Sequence, residues 1–216
     1  MNKMVVFFVE GETEVKFYQR LVAYYRDKCG GRLNCQVLKP MNVGGVSKYK
    51  SRVVRIFQNS VISKYRGSDY EYHVFLCYDS DVFEFNPKPP VDWDIVVNDL
   101  IKSGAARVVQ VRAVHSIEDW FLYDTEGLRK FLHRRGKIQK KGCSGQKYLA
   151  KLFREADRVY IKGSACDELI KALDMSVIIS HIGSEIKEIE DEFKPEDHPE
   201  CSDPQTEAPQ TADSHK

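Results

Sequence analysis

Runs of apolar residues alternate with segments of helical periodicity along the first 114 positions of the chain. Val5–Val9 is a continuous β-branched and aromatic run, which is typical of a strand buried on both faces. Three further runs, Cys35–Leu38, His73–Tyr78 and Arg107–Val114, predict three more strands. Because helical segments separate these strands, we expect an α/β fold with a mostly parallel, four-stranded sheet flanked by helices.

The remaining segments predict helices and set the expected domain organisation. Helical spacing of apolar residues is found at 15–25, 46–61, 93–100, 145–154, 165–173 and 176–193. Ser116 and Thr125 are the expected N-caps of two further helices. We therefore expect an α/β domain over residues 1–125, a helical C-terminal extension over 126–193 and a disordered acidic tail over 194–216.

The charge is unevenly distributed, although the net charge is only +1. Residues 1–184 carry 30 Lys/Arg against 21 Asp/Glu, whereas residues 185–216 carry 3 against 11. A basic body suits a polyanionic partner, but a solubilising surface explains the same counts equally well. Lys48, Lys50, Arg52 and Arg55 share one side of the second predicted helix and are either a nucleic-acid patch or a solvated helix face.

Two observations bear on location. No apolar run approaches the length that a bilayer requires, and the N-terminal run stops at Glu10, too early for a signal peptide. The six Cys residues include no CxxC pair and fit reduced structural thiols better than a disulfide framework. We therefore expect a cytoplasmic protein that has no membrane partner.

Acidic residues follow three of the predicted strands. Glu10 follows the first, Asp79 and Asp81 follow the third, and Glu118 comes soon after the fourth, while Glu14 lies one helical turn beyond Glu10. Ligands of parallel sheets collect at the carboxyl ends of the strands, so these side chains are expected to meet. Their mutual repulsion must be relieved by protons, by Lys or Arg, or by a divalent cation. Oxygen ligands without His or Cys favour Mg²⁺ or Mn²⁺ over zinc.

Three motifs resemble those of the TOPRIM domain, which is found in topoisomerases, bacterial primases and several nucleases. They are VEGETE at residues 9–14, the Gly44-Gly45 pair, and Asp79-Ser80-Asp81. The first motif, together with SIEDW at residues 116–120, looks most like the nuclease branch, which comprises the OLD-like and the short RloB-like anti-phage defence proteins. The resemblance covers about residues 4–123 and implies a Rossmann-like sheet.

The resemblance also implies roles for individual residues. Glu10 would be a metal ligand and an acid–base group, and Asp79 and Asp81 would bind the same or a neighbouring ion. Glu14 and Glu118 would complete a second metal site. Lys162, within Tyr160-Ile161-Lys162-Gly163, resembles a lysine that contacts the phosphate in this branch.

The expected function is therefore hydrolysis of DNA or RNA phosphodiester bonds with one or two Mg²⁺ or Mn²⁺ ions, in prokaryotic defence against phage. The expected catalytic residues are Glu10, Asp79, Asp81 and Lys162. A separately encoded ATPase is one optional partner that the resemblance implies. A non-catalytic TOPRIM-type module that binds nucleic acid or a partner protein is the alternative, and a nucleotide-sugar transferase with an Asp-x-Asp metal clamp is a third. The substrate type and the oligomeric state stay open.

Overall fold

The fold is built on one parallel sheet. The computed structural model describes residues 2–81, 91–139, 144–163 and 166–194. The strands are β1 (Asn2–Val9), β2 (Gln36–Val37), β3 (Met41–Asn42), β4 (Tyr70–Asp79) and β5 (Ala105–Ala113). Their order is β2-β1-β4-β5, with β3 also paired to β1, and every pairing is parallel. The predicted α/β fold with a mostly parallel sheet is confirmed.

The sheet has one strand more than the four predicted. The additional strand, β3, is only two residues long and follows Pro40, so its sequence resembled a loop. It pairs with the carboxyl end of β1, where Met41 lies opposite Phe8 and Asn42 opposite Val9. This pairing holds the following glycine loop beside the end of β1.

Helices cover both faces of the sheet. They are α1 (Glu12–Lys28), α2 (Tyr49–Ile56), α3 (Trp93–Lys102), α4 (Ile117–Phe121), α5 (Thr125–Phe131), α6 (Gly145–Arg154), α7 (Cys166–Ala172), α8 (Met175–Ile182) and α9 (Lys187–Phe193). A 3₁₀ turn at Val46–Lys48 precedes α2, and a π-helical segment at Phe57–Ile62 continues it. No helix among the described residues is long and apolar enough to cross a membrane.

Two local predictions were wrong in detail. The helix expected over 176–193 is two helices, α8 and α9, because the chain turns at Gly183. The expected N-cap Thr125 is instead the first residue of α5, and the side chain of Asp124 caps that helix by accepting a hydrogen bond from the Gly127 N–H. An Asp ahead of a Thr competes for the cap position because both have a short oxygen-bearing side chain.

The two faces of the sheet bury different residues of the same strands. Side chains alternate between the two faces along β1. Val5, Phe7 and Val9 pack against α1 and α4–α9 on one face. Met4, Val6 and Phe8 pack against α2 and α3 on the other face. Phe193 of α9 packs against Phe7 and Tyr25, with ring centroids 6.4 Å and 5.6 Å away. The C-terminal extension thus shares one hydrophobic core with α1 and the sheet. The boundary near residue 125 stays a prediction.

The last described helix is held at the amino ends of the strands. Buried Glu192 accepts hydrogen bonds from the His73 ring at 2.7 Å and from Arg107 Nη1 at 3.0 Å. The chain therefore reaches residue 194 at the edge of the sheet opposite the carboxyl ends. The predicted disordered tail, apart from Lys194, lies outside the described residues.

The strand order creates a switch point between β1 and β4. From β1 the chain passes through α1 to β2 on one side, and then through α2 to β4 on the other side of β1. The connection that follows β1 therefore leaves towards one face of the sheet, and the connection that follows β4 leaves towards the other face. This divergence opens a crevice at the carboxyl ends of the two strands. The glycine loop after β3 borders this crevice: Gly44 and Gly45 have φ of 88° and 104°, a region that favours glycine.

Candidate active site at the strand ends

Glu10 directly follows β1 at the switch point. Its Oε1 accepts a hydrogen bond from the Asp79 N–H at 2.8 Å, and its Oε2 accepts one from the Val46 N–H at 3.0 Å. Burial raises the pKa of Glu10 to about 7, because these hydrogen bonds offset the desolvation only in part and the Glu14 carboxylate adds repulsion. A carboxyl group with this pKa can take up and release a proton near neutral pH.

Glu14 lies in the first turn of α1 and is only 3% exposed. A Cβ atom at position 11 would lie 3.0 Å from Glu14 Oε2, so the carboxylate rests directly over Gly11. A side chain at position 11 would therefore displace the Glu14 carboxylate. Within the part of the chain that the structure describes, neither Glu14 oxygen accepts a hydrogen bond. Its ion-pair partner is Lys162, whose Nζ lies 3.5 Å from Oε1. Burial raises the pKa of Glu14, and the Lys162 charge opposes that rise.

Asp79 is the last residue of β4 and is 5% exposed. Its Oδ1 accepts a hydrogen bond from the Ile117 N–H at 3.0 Å, and its Oδ2 lies 3.7 Å from Lys162 Nζ. Burial raises the pKa of Asp79 well above its ordinary value, and repulsion from Glu14 raises it further. The hydrogen bond from the Ile117 N–H joins the end of β4 to the start of α4.

Asp81 lies two residues beyond β4 and is half-buried. Its backbone N–H donates to the His115 carbonyl at 2.9 Å. The charged groups with the largest effect on the pKa of Asp79 are instead Glu14, Lys162, Glu10 and Glu118. A metal-binding role for Asp81 stays a prediction.

Glu118 is the second residue of α4 and is fully buried. Its Oε1 accepts a hydrogen bond from the Tyr160 hydroxyl at 3.0 Å, whereas its Oε2 has no hydrogen-bond partner among the described residues. The adjacent Asp119 fixes this turn, since its Oδ2 accepts from the Ser116 hydroxyl at 2.9 Å and from the Gly145 N–H at 3.1 Å. Ser116 is the N-cap of α4, as predicted, but its hydroxyl bonds to Asp119 rather than to the helix backbone.

We call Glu10, Glu14, Asp79 and Glu118 the carboxylate cluster. Three of these four carboxylates lie within 4 Å of one cation, and the fourth, Glu10, is hydrogen-bonded to the backbone of Asp79. Lys162 Nζ lies 3.5 Å from Glu14, 3.5 Å from Glu118 and 3.7 Å from Asp79. Burial lowers the pKa of Lys162, but attraction to the cluster outweighs burial, and the net result is a raised pKa. The ammonium group therefore stays charged over the whole physiological range of pH.

The segment that carries Lys162 is anchored at both ends. Tyr160 donates to Glu118, and the Gly163 N–H donates to Thr13 Oγ1 at 2.8 Å. Between these anchors the side chains alternate: Tyr160 and Lys162 turn towards the cluster, while Val159 and Ile161 are 75% and 54% exposed. The sequence predicted no role for Tyr160 or Thr13 in anchoring this segment. Alternation along residues 159–162 is the sequence signal that could have identified Tyr160.

The structure thus brings together five of the six predicted site residues, from α1, the ends of β1 and β4, α4 and the segment before α7. They are Glu10, Glu14, Asp79, Glu118 and Lys162. The basic residues of α2 have a different position: Arg52 donates from Nη1 to the Val43 carbonyl at 2.9 Å and so braces the glycine loop.

The donor set of the cluster is compatible with a hard divalent cation. Its ligands are all carboxylate oxygens, and three buried oxygen atoms, both of Glu14 and Oε2 of Glu118, accept no hydrogen bond from the described residues. In the arrangement seen here, however, no three His, Cys, Asp or Glu side chains of the described part form a group that could hold a metal ion. The Lys162 ammonium lies among these carboxylates and supplies the positive charge.

Comparisons of the chain with family models, with curated proteins and with solved structures gave no match.

Proposed function

We propose that this protein is a metal-dependent phosphodiesterase that cleaves DNA or RNA. The observation that supports this most directly is the convergence of four acidic side chains and Lys162 at the switch point of a parallel sheet. Burying carboxylates costs stability, and a fold has no structural need to collect four of them. Perturbed acid groups of this kind concentrate at functional sites.

Glu14, Asp79 and Glu118 are the residues that would hold Mg²⁺ or Mn²⁺, with Asp81 as a further predicted ligand. The bound ion would supply Lewis-acid stabilisation of the charge that develops on the phosphoryl oxygens. In this proposal Lys162 moves from the cluster to a phosphoryl oxygen, because the ion and the ammonium compete for the same carboxylates. One or two ions are both compatible with the number of oxygen donors.

Glu10 is the proposed general base. Burial raises the pKa of Glu10 to about 7 in the absence of an ion, and a cation held by Glu14 and Asp79 would favour the ionised form, which accepts the proton of an attacking water. The Asp79 and Val46 N–H groups occupy one lone pair on each oxygen and hold the carboxylate in one orientation. After cleavage, the same carboxyl group returns its proton to solvent or to the leaving oxygen.

The test is cleavage of labelled DNA and RNA by the full chain with Mn²⁺ or Mg²⁺. We expect the wild type to cut, and Asp79→Asn and Lys162→Met to cut at least about 100-fold more slowly, the loss typical of one group that stabilises transition-state charge. Glu12→Gln is the matched control, because Glu12 lies in the same turn as Glu14 but is exposed and bonded to Asn42. Equal cleavage by all four proteins would refute the catalytic assignment.

A non-catalytic binding module is the second candidate, and one observation favours it: Lys162 already places a positive charge beside Glu14, Asp79 and Glu118 without an ion. Calorimetric titration with Mn²⁺ separates the two. Absence of Mn²⁺ binding, combined with salt-sensitive nucleic-acid affinity that Asp79→Asn retains, would favour the binding module.

The proposed setting is anti-phage defence in the cytoplasm of a prokaryote, with a separately encoded ATPase as an optional partner. Its support is the resemblance of the VEGETE and SIEDW motifs to the nuclease branch and the presence, among the described residues, of the free thiols Cys35, Cys77 and Cys166. Phage plating on cells that express the wild type or Asp79→Asn tests this setting. Equal plating on both strains would contradict it.

A further inference from the structure

Most of the net positive charge of residues 1–184 lies in one short stretch of the C-terminal extension. Residues 126–158 carry 11 Lys/Arg against 3 Asp/Glu, which is nearly the whole excess of residues 1–184. This stretch contains α5, α6 and the loops that follow them. A charge imbalance on so few residues is typical of a surface that meets a polyanion.

Several of these basic residues line two adjoining cavities. The two cavities, of about 570 Å³ and about 190 Å³, lie between residues 132–139 and the C-terminal half of α6 with its following turn. Arg134 and Glu155 line both cavities, which therefore adjoin at this ion pair, and we call the two together the basic groove. The cationic side chains that line it are those of Arg134, Arg135, Lys137, Lys151 and Arg158.

The charges of the basic groove are only partly neutralised by the protein. Glu155 is paired with Arg134 at 2.5 Å and with Lys151 at 3.7 Å. Arg135 and Lys137 are exposed and, within the described part of the chain, make no ion pair. These two side chains are therefore available to an external anion.

The backbone at the basic groove is also unusual. His133 and Asp157, on opposite sides of the larger cavity, have φ of 52° and 55°. Residues other than glycine seldom adopt this conformation, and it persists only where the surroundings enforce it. The Arg134 N–H donates to the Arg129 carbonyl and the Arg158 N–H to the Phe153 carbonyl, so both turns are closed by hydrogen bonds.

The basic groove is connected directly to the carboxylate cluster. α6 begins beside Glu118, where its Gly145 N–H donates to Asp119, and a ten-residue helix extends about 15 Å. The chain then returns along residues 159–162 and places Lys162 in the cluster. The length of α6 corresponds to about four nucleotides of a stacked strand.

We propose that the basic groove binds the phosphodiester backbone of a nucleic-acid strand whose neighbouring nucleotides reach the carboxylate cluster. Val159 and Ile161 lie along the path between the two sites and offer an apolar surface to the bases. The inference names the substrate-binding surface of the proposed phosphodiesterase and to that extent rests on it. Binding is measured without cleavage, so either idea can fail alone.

The experiment measures fluorescence anisotropy of a labelled 20-nucleotide DNA or RNA with the full chain in EDTA, over a range of salt concentrations. We expect Arg135→Gln/Lys137→Gln to raise Kd about tenfold and to reduce the slope of log K against log salt by about 1.4, because two phosphate contacts are lost. The matched control is Arg66→Gln/Lys102→Gln, which removes two exposed charges outside the basic groove. It should change both quantities much less.

Three outcomes would overturn the proposal. One is a loss in the control pair equal to or greater than that in the groove pair. Another is tight binding of a polyglutamate peptide that is lost in the same groove variant to the same extent, since this would indicate an acidic protein partner instead. The third is wild-type binding that does not weaken with salt. Circular dichroism of both variants checks that the fold is intact.

Discussion

The Oε1 atom of Glu10 accepts a hydrogen bond from the backbone N–H of Asp79, a residue 69 positions later in the chain. The two acids that end β1 and β4 are thus joined by a side-chain contact at the point where the strands lie in register. Because the donor is a backbone group, this contact holds the Glu10 carboxylate against the end of β4. Ligand-binding groups gain precision from a rigid support of this kind.

The first prediction concerns the pH dependence of stability in metal-free buffer. Burial raises the pKa of Glu10 from 4.5 to about 7, so the folded state holds this proton more tightly than the unfolded state. The resulting stabilisation is complete below pH 4.5 and is lost as the pH rises through about 7. The stabilisation that is lost when Glu10 ionises corresponds to roughly 3 kcal/mol of unfolding free energy. Glu14 and Asp79 shift in the same direction.

Urea denaturation in EDTA between pH 5 and pH 8 measures this effect. We expect the unfolding free energy to fall with rising pH in the wild type. Glu10→Gln cannot titrate at this position and should show a shallower decline. A stability that increases with pH across this window would contradict the burial of these acids.

The second prediction concerns the contribution of Lys162 to stability. Lys162→Met leaves the carboxylates of Glu14, Asp79 and Glu118 without their cation. We expect a loss of about 2 kcal/mol at pH 8, less than for a fully buried pair because the Lys162 side chain is 40% exposed. Lys171→Met, which breaks an exposed pair with Asp167, should cost under about 0.5 kcal/mol. Equal losses in the two variants would show that the cluster does not depend on Lys162.

The third prediction follows from competition between the ammonium and a divalent ion. In Lys162→Met, Mn²⁺ has no competitor for Glu14 and Glu118, so its affinity by calorimetry should rise about tenfold or more, while cleavage falls. Mg²⁺ or Mn²⁺ should also restore the thermal stability that this variant loses. An unchanged or weaker Mn²⁺ affinity would indicate that the ion binds elsewhere.

The fourth prediction concerns the close packing of α6 against α4. A Cβ atom at position 145 would lie 2.5 Å from the Asp119 nitrogen and 2.7 Å from the Glu118 carbonyl carbon. Gly145→Ala should therefore displace Glu118, lower the unfolding free energy by about 2 kcal/mol and reduce cleavage. Gly136→Ala is the control for stability, since nothing lies within 4 Å of its added Cβ. Thermal melts of both variants, together with the cleavage rate of Gly145→Ala relative to the wild type, test this.

The sequence alone identified the elements that have strong periodicity. β1 and β4 were predictable because their apolar runs are continuous, and the acids after them were predictable because parallel strands end at one edge. Glu14 followed from helical spacing, and Lys162 from the family resemblance. The two-residue β3 carried too little pattern to be distinguished from a loop.

Other parts of the site depend on contacts between distant segments, which periodicity does not encode. The bond from Gly163 to Thr13 joins residues 150 positions apart. The Tyr160 bond to Glu118 likewise arises only once α6 has packed on α4. The position of the Lys162 ammonium among three carboxylates is a third such result.

Four backbone amides point at a single residue, Glu10: those of Gly44 and Gly45 at its carbonyl, and those of Val46 and Asp79 at its side chain. Chemical shifts of amide protons respond to the charge of the group that accepts them. An isotope-labelled sample would thus carry its own set of spectroscopic reporters, which would follow proton loss or cation arrival at Glu10 without an attached fluorophore or spin label.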